Sequence, residues 1–458
     1  MEQWIIEECR GADLRDKRLR KRLEVILQHF FESPMVSIPA NNREWKDILG
    51  AYRFMSNENV SYEQILEGSR QAINGRLDGQ DVLLVVQDTT SIDLTGHRAS
   101  DELGYLENKK CRGIFLHPSL VITPERVNLG ILNAEMWTRN NSEFGKKHTR
   151  KSRPIEEKES NYWLESYREA DELAHEHPEK TIVSVGDRES DIFELLVLAT
   201  DDSSKAQLLV RAAQNRRLAN EETLKLWEAV ESTKELGTKK VVLPKTESTD
   251  LSPVELSVKS SKLTIKAPAR PGAKLRNISI NAVLATEKNP KAGRDKIEWL
   301  LLTTLDVSSA KDAMQILEYY SCRWQIEMFF RVLKGGCKIE ELQLETVDRL
   351  ENAIACYMIT SWRIQYLLML GRQVPDMPAD IYFSEHEISV VKMISKLRDT
   401  GKSPTINQMI VSIAKYGGYI NRKKDGPPGL KTLWIGLSKL ANYVFMYDFM
   451  KNNKDVYN

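Results

Sequence analysis

Two short stretches constrain the fold more than any other part of this chain. The first, Val82-Leu83-Leu84-Val85-Val86, is a continuous apolar run of the kind buried on both faces of a sheet, and it stops abruptly at Gln87-Asp88-Thr89-Thr90. The second, residues 181–185, repeats the pattern and runs into Gly186-Asp187-Arg188-Glu189-Ser190-Asp191, after which residues 192–199 read as a helix. Doubly buried strands alternating with helices make an α/β domain. Each run also delivers a carboxylate, Asp88 or Asp187, to a strand end. A lone strand-end aspartate is usually a helix N-cap; two of them in one α/β domain form a candidate site.

A third acid stands on a different element. In residues 318–336, EYYSCRWQIEMFFRVLKGG, the polar residues Tyr320, Arg323, Glu327 and Lys334 sit at i, i+3, i+7 and i+14. On a helix turning ~100° per residue they fall within an arc of roughly 60°. Ile326, Phe329, Phe330 and Leu333 take the opposite side, Trp324 lies beside the polar stripe, and Gly335-Gly336 ends the helix. The ordinary reading is a wet amphipathic face. A carboxylate embedded among Tyr, Arg and Lys, rather than alternating with them, suits metal and phosphate chemistry instead.

At 458 residues the chain is long enough for two or three domains, and its 66 Lys+Arg against 65 Asp+Glu make net charge uninformative. Distribution is more telling. Arg10, Arg15, Lys17, Arg18, Arg20, Lys21 and Arg22 crowd the start of an apolar helical period at Leu19, Leu23, Ile26 and Phe30, which suits either a solvated face or phosphate contacts. Residues 44–70 read as further short helices closing an N-terminal helical domain. Strands are expected at 119–123, 127–137 and 207–211, a basic loop at about 140–160, a helix at 162–174, and an antiparallel β-rich block, inserted in the α/β pattern, at about 219–300. Helices follow at 347–371, 385–400 and 437–450. The five cysteines form no CxxC pair and the seven histidines are scattered, so neither a disulfide framework nor a thiolate zinc site is indicated. The charged N-terminus and the lack of any run near ~20 apolar residues predict a cytoplasmic protein with no membrane partner.

Aspartate on the first long strand, aspartate after a later one and glutamate on a helix beyond an insertion is the order in which ribonuclease-H-like polynucleotidyl transferases carry their metal ligands. The helix fits Y-x2-R-x3-E-x6-K in full. The chain thereby resembles the bacterial DDE transposases of insertion-sequence family four, the YREK group, and within it the cut-and-paste type of the kanamycin transposon five. AYRF at 51–54, Arg112-Gly113, EKES at 157–160, NAVLA at 281–285, WLLLT at 299–303 and GGYI at 417–420 look like shared landmarks in the same order, so the resemblance covers nearly the whole chain. Gln343 departs from it, standing where an arginine is expected in a DNA-contacting segment.

The resemblance implies a helical DNA-binding domain at 1–72, a ribonuclease-H-like catalytic domain at 73–371 with the β-rich insertion, and a helical dimerisation domain at 372–458. Asp88, Asp187 and Glu327 would be the catalytic triad and ligands of two Mg²⁺ ions, with Mn²⁺ able to substitute. Tyr320, Arg323 and Lys334 would hold transposon-end phosphates, and Trp299 with Trp324 would stack on a base flipped from the duplex. Arg188, Glu189 and Arg211 match positions near the active site and DNA path; Arg15, Arg18 and Arg22 would contact end-sequence DNA. The partners implied are double-stranded DNA, at transposon ends and target, and a second copy of the chain in a synaptic homodimer. Two alternatives stay open: a nuclease of the same fold without strand transfer, and a non-catalytic DNA-binding inhibitor of transposition.

Overall fold

The computed structural model describes residues 2–35, 37–41, 44–97, 99, 102–141, 154–220, 223–242, 253–269, 275–290, 295–397 and 401–452. Most of the basic loop expected at 140–160 lies outside them. In chain order, helices α1 (Gln3–Arg10), α2 (Lys17–Glu32), α3 (Ile38–Asn41), α4 (Trp45–Met55) and α5 (Tyr62–Ile73) precede strands β1 (Val82–Gln87), β2 (Thr90–Asp93), β3 (Gly104–Tyr105), β4 (Arg112–Ile122) and β5 (Asn128–Trp137). Next come α6 (Asn161–Glu176), β6 (Thr181–Gly186), α7 (Phe193–Ala199), β7 (Gln207–Arg211), α8 (Leu226–Glu231), β8 (Gly237–Val242), β9 (Pro253–Ile265), β10 (Ile278–Glu287) and β11 (Glu298–Thr303). Helices α9 (Ala310–Cys322), α10 (Trp324–Arg331), α11 (Val347–Gln373), α12 (Glu385–Ser395), α13 (Ile406–Tyr416) and α14 (Leu430–Asn452) complete the chain.

The chain forms two compact units. One comprises Gly79–Asp88 and Gly145–Trp324, and its strands lie in the order β1-β6-β7-β11-β10-β9-β8. β1 and β6, and β6 and β7, are parallel. β1 and β6 are the runs that looked doubly buried in sequence, and Leu83–Val86 are fully enclosed. The β-rich block is no separate layer. β11 pairs antiparallel with β7 through Leu301↔Arg211 and Leu302↔Val210, so the later strands extend the same sheet. β9 is one strand of 13 residues that runs through the polar Ser260-Ser261-Lys262; backbone pairing with β10 from Ile265 to Leu256 carries it through. The short α8 was missed, although Leu226, Ala229 and Val230 bury one side of it at i, i+3 and i+4. α9 starts where Ser309 and Asp312 form a capping box, and packs on the sheet.

The other unit comprises Met1–Asp78, Thr89–Phe144 and Gln325–Asn458. Here β2, β3 and β5 all pair antiparallel with β4, which runs the 11 residues of Arg112–Ile122, well beyond its expected extent. The central helix α11 contacts α2, α4, α5, α13, α14 and β5. It is long and apolar enough by composition to cross a membrane, contrary to the sequence expectation, but 94% of its most apolar window is buried inside the protein, as befits a core helix. Its polar side chains are spent on neighbours. Trp362 Nε1 donates to Asn128 O at 2.9 Å, Asn128 Nδ2 to Gln365 Oε1 at 2.9 Å, and Asn352 Nδ2 to Met55 O and Val60 O, both at 3.2 Å.

A buried ion pair joins the N-terminal helices to this core. The Glu8 side chain is wholly enclosed and bonds Arg76, whose Nη1 also donates to Leu129 O at 2.9 Å and whose guanidinium lies 4.2 Å from the centre of the Trp362 ring. Burial pushes the Glu8 carboxyl above its usual range and Arg76 pulls it back. Arg76→Met should therefore strand the carboxylate and cost about 3–5 kcal/mol, read as a lowered urea midpoint, whereas Glu8→Leu/Arg76→Met should recover part of that loss. A double variant no more stable than the single one would show that packing, not charge, holds the junction.

Candidate active site

Parallel pairing of β1 with β6 sets Val82 opposite Thr181 and Val86 opposite Val185. Asp88 and Asp187 each lie two residues past that last pair, at the same end of strands ~4.8 Å apart. Just below them the buried Gln87 Nε2 donates to Ser184 Oγ at 2.8 Å, fastening one strand to the other. Gly186 is required where the chain leaves β6, since a Cβ there would sit 2.4 Å from Ser190 Oγ. Asp187 Oδ1 accepts from Glu189 N at 2.7 Å and caps the short turn Arg188–Ser190. The N-cap reading of Asp187 thus holds for this carboxylate, alongside its strand-end position.

The remaining predicted residues of this unit gather around the two aspartates. Arg323 Nη1 bonds Asp88 Oδ2 at 2.7 Å, with both side chains mostly buried. Tyr320 is itself 6% exposed, not part of a wet stripe. Burial pushes its phenol up, opposed by Arg323 and by Arg211, which bonds its hydroxyl, and reinforced by Asp187. Burial likewise lowers the Arg211 guanidinium; the like charges of Arg188 and Arg323 lower it further, and Tyr320 counteracts them. Arg211 is anchored by Nη2 donating to Glu298 O at 2.9 Å. Trp299, next along β11, is half-buried and meets Tyr320 edge-on, with ring centres 5.4 Å apart at 65°. Two carboxylates and three guanidiniums therefore share one sheet end, with an aromatic wall beside them. Glu189 and Arg188 are exposed, and Trp324 is 37% exposed.

The single helix expected over 318–336 is a correction. α9 ends at Cys322, and Arg323 N bonds back only three residues, to Tyr320 O at 3.1 Å, which tightens the turn before α10. Beyond α10 a π-turn spans Val332–Gly336, with Cys337 N reaching five residues back to Val332 O at 2.8 Å. Ile326, Phe329, Phe330 and Leu333 are buried as expected.

Glu327 and Lys334 belong to the other unit. Glu327 is half-buried in the first turn of α10. The Lys334 ammonium donates to Ser91 O on β2 and lies 3.7 Å from Glu340 Oε1. At the N-terminus Arg15 is exposed, Arg18 is exposed and tied to the α2 N-cap Asp16 at 3.0 Å, and Arg22 pairs with Asp47 at 2.9 Å. The basic helix is thus partly neutralised by its own surroundings.

Some residues around these positions escaped the sequence reading. Gln87 and Ser184 are polar positions inside otherwise apolar strand runs, which was the available signal. His117, fully buried on β4, bonds Thr89 Oγ1 through Nδ1 at 2.8 Å, and burial lowers it to about 3, so the ring is neutral. Asp191 looks in sequence like a second acid of the Asp187 loop, yet it is a structural hub. It accepts from Ala213 N and Gln214 N, both at 2.7 Å, and from Arg216 Nη2 at 2.5 Å.

Adjacent strand-end carboxylates are hard oxygen donors of the kind Mg²⁺ takes, and Asp88 and Asp187 fit that chemistry. Among the described residues no group of three or more His, Cys, Asp or Glu is close enough to hold a metal ion. The two acids of GDRESD should separate in stability. Asp187→Ala removes a cap and should cost about 0.5–2 kcal/mol, whereas Asp191→Ala, which strands the buried Arg216, should cost about 3–5 kcal/mol in urea unfolding. Equal costs would refute this division of roles.

Residues 1–60 match the family model described as transposase DNA-binding, residues 126–362 the transposase DDE domain, and residues 358–455 the transposase Tn5 dimerisation domain. Among solved structures, a piggyBac transposase in a synaptic complex with hairpin DNA, determined by cryo-EM, aligns over 64% of this chain and 48% of its own, at 11% identity and a TM-score of 0.32. The chain thus spans about half the length of that relative. With the DDE model alone matching just over half of its residues, the chain belongs to the transposase DDE domain family.

Proposed function

We propose that this chain is a DNA transposase of the YREK group of insertion-sequence family four, working by cut-and-paste on a ribonuclease-H-like catalytic core. The observation that carries the reading is the in-register pair Asp88 and Asp187, ringed by Arg323, Arg211, Arg188 and Tyr320. Asp88, Asp187 and Glu327 would hold two Mg²⁺ ions, or Mn²⁺ in their place. When bound, such ions activate the attacking oxygen and stabilise the leaving one in phosphodiester transfer. The protein's own groups position the DNA. Arg323, released from Asp88, joins Tyr320 and Lys334 on the phosphates of the transposon end, with Arg188, Glu189 and Arg211 along the path.

Water first displaces a 3′-oxygen from phosphorus at the element's end. The freed 3′-hydroxyl then attacks the opposite strand, displacing the flanking DNA and closing a hairpin. Water reopens the hairpin, and the restored 3′-hydroxyl attacks a phosphorus of target DNA, displacing a target-strand 3′-oxygen. Trp299, with Trp324, would stack on the base flipped out as the hairpin forms; stacking of this kind returns about 1–3 kcal/mol of the flipping cost. Residues 1–72, with Arg15, Arg18 and Arg22, would read end-sequence duplex. Residues 73–371 would carry the chemistry, and residues 372–458 would pair two copies of the chain. Such a protein works in the bacterial cytoplasm, on the nucleoid.

Asp88→Ala, Asp187→Ala and Glu327→Ala should each lower Mg²⁺-dependent cleavage roughly 10³-fold or more, since several kcal/mol of charge stabilisation is removed, while DNA binding persists. Gel analysis of an end-bearing duplex checks this, and robust cleavage by any of the three removes that residue from the triad. Trp299→Ala should leave first-strand nicking intact and slow hairpin closure roughly 5- to 150-fold. Unchanged hairpin yield would refute the stacking role, and nicking without hairpins or joined product from the unmodified chain would mark a plain nuclease.

A further inference from the structure

The segment from Lys415 to Lys431 carries five cations, Lys415, Arg422, Lys423, Lys424 and Lys431, against one acid, Asp425, in a chain whose overall charge is +1. All five are exposed. Surface charge runs are commonly interleaved with acids on a solvated helix; here three cations stand consecutively, a concentration of positive charge that suits a polyanion.

The loop that bears them is pinned. α13 and α14, which it joins, meet backbone to backbone: a Cβ at Gly417 would lie 1.9 Å from Thr432 O, and one at Gly436 1.9 Å from Ile413 O. Tyr419 spans the loop, its hydroxyl donating to Gly426 O at 2.7 Å, and Arg372 Nη2 on α11 donates to Pro428 O at 2.8 Å. The one acid is turned to an internal task, since Asp425 Oδ2 accepts from Arg422 N at 2.8 Å and so closes the turn that presents Arg422, Lys423 and Lys424 together. Ile420 stands 62% exposed beside them. The cost of ordering a flexible basic tail is thus already met by the fold, and a fixed array of cations fits a fixed array of phosphates.

We infer that the loop between α13 and α14 is a second phosphate-contacting surface for duplex DNA, within the region matched to dimerisation alone. This rests on the proposed DNA function. The test compares the full-length chain with Arg422→Ala/Lys423→Ala/Lys424→Ala on two short duplexes, one of random sequence and one selected from a random library by the unmodified chain. Affinity is measured across a series of NaCl concentrations. The variant's salt slope should be shallower by about 0.9 for each phosphate it no longer neutralises, up to about 2.7, with dimerisation and thermal unfolding unchanged. A change on the random duplex alone assigns the surface to target DNA; a change on both assigns it to the element's end. Lys423→Glu/Lys424→Glu should weaken binding further. If the unmodified chain binds and neither variant alters slope or affinity, the inference is overturned. If the unmodified chain binds neither duplex, the proposed function falls and this surface with it.

Discussion

The parallel register of β1 and β6 is the constraint on which the candidate site depends. Two strands buried on both faces can satisfy their backbone groups only by pairing, and a slip by one residue would turn every side chain to the opposite face. Register is therefore fixed by the core, and the positions of Asp88 and Asp187 beyond the last pair follow from it. The Gln87–Ser184 bond reinforces that register at the depth where the acids emerge. Pairing of β11 with β7 then brings Trp299 and the Arg211 anchor to the same sheet.

Electrostatics around the acids is a balance, not an accumulation. Placing two carboxylates at neighbouring strand ends is unfavourable unless cations answer them, and Arg323 bonds Asp88 directly while Arg211 is held through Tyr320. In the proposed function a divalent ion would take the carboxylates and leave the same cations for phosphate. A site for phosphodiester chemistry has use for both states. Asp191 shows the contrast: a carboxylate of the same loop that backbone amides and Arg216 fully occupy belongs to the scaffold.

Much of the fold was legible because it rests on period and capping. The apolar runs gave β1 and β6, and the buried side of 326–333 was read correctly. Less legible were elements stabilised by pairing, such as the polar middle of β9 and the strand β2 directly after Asp88, because backbone hydrogen bonds to a neighbour do not depend on side-chain pattern. α11 exposed the converse weakness. A composition that would suit lipid is here buried by protein, and only the packing of α2, α5, α13, α14 and β5 distinguishes the two.

The sequence by itself determined the chemistry available: two strand-end aspartates, a helix carrying Tyr, Arg, Glu and Lys in a motif, and an N-terminal basic helix. These follow from residue identity and local period, which a linear chain already contains. Only the tertiary structure decided which polar groups are engaged with one another. It made Tyr320 a buried contact, joined Arg323 to Asp88, committed Asp191 to Arg216, and broke the motif helix at Arg323 and again at Val332–Gly336. Those outcomes depend on groups far apart in sequence competing for the same hydrogen bonds in a buried space, and local spacing holds no record of that competition.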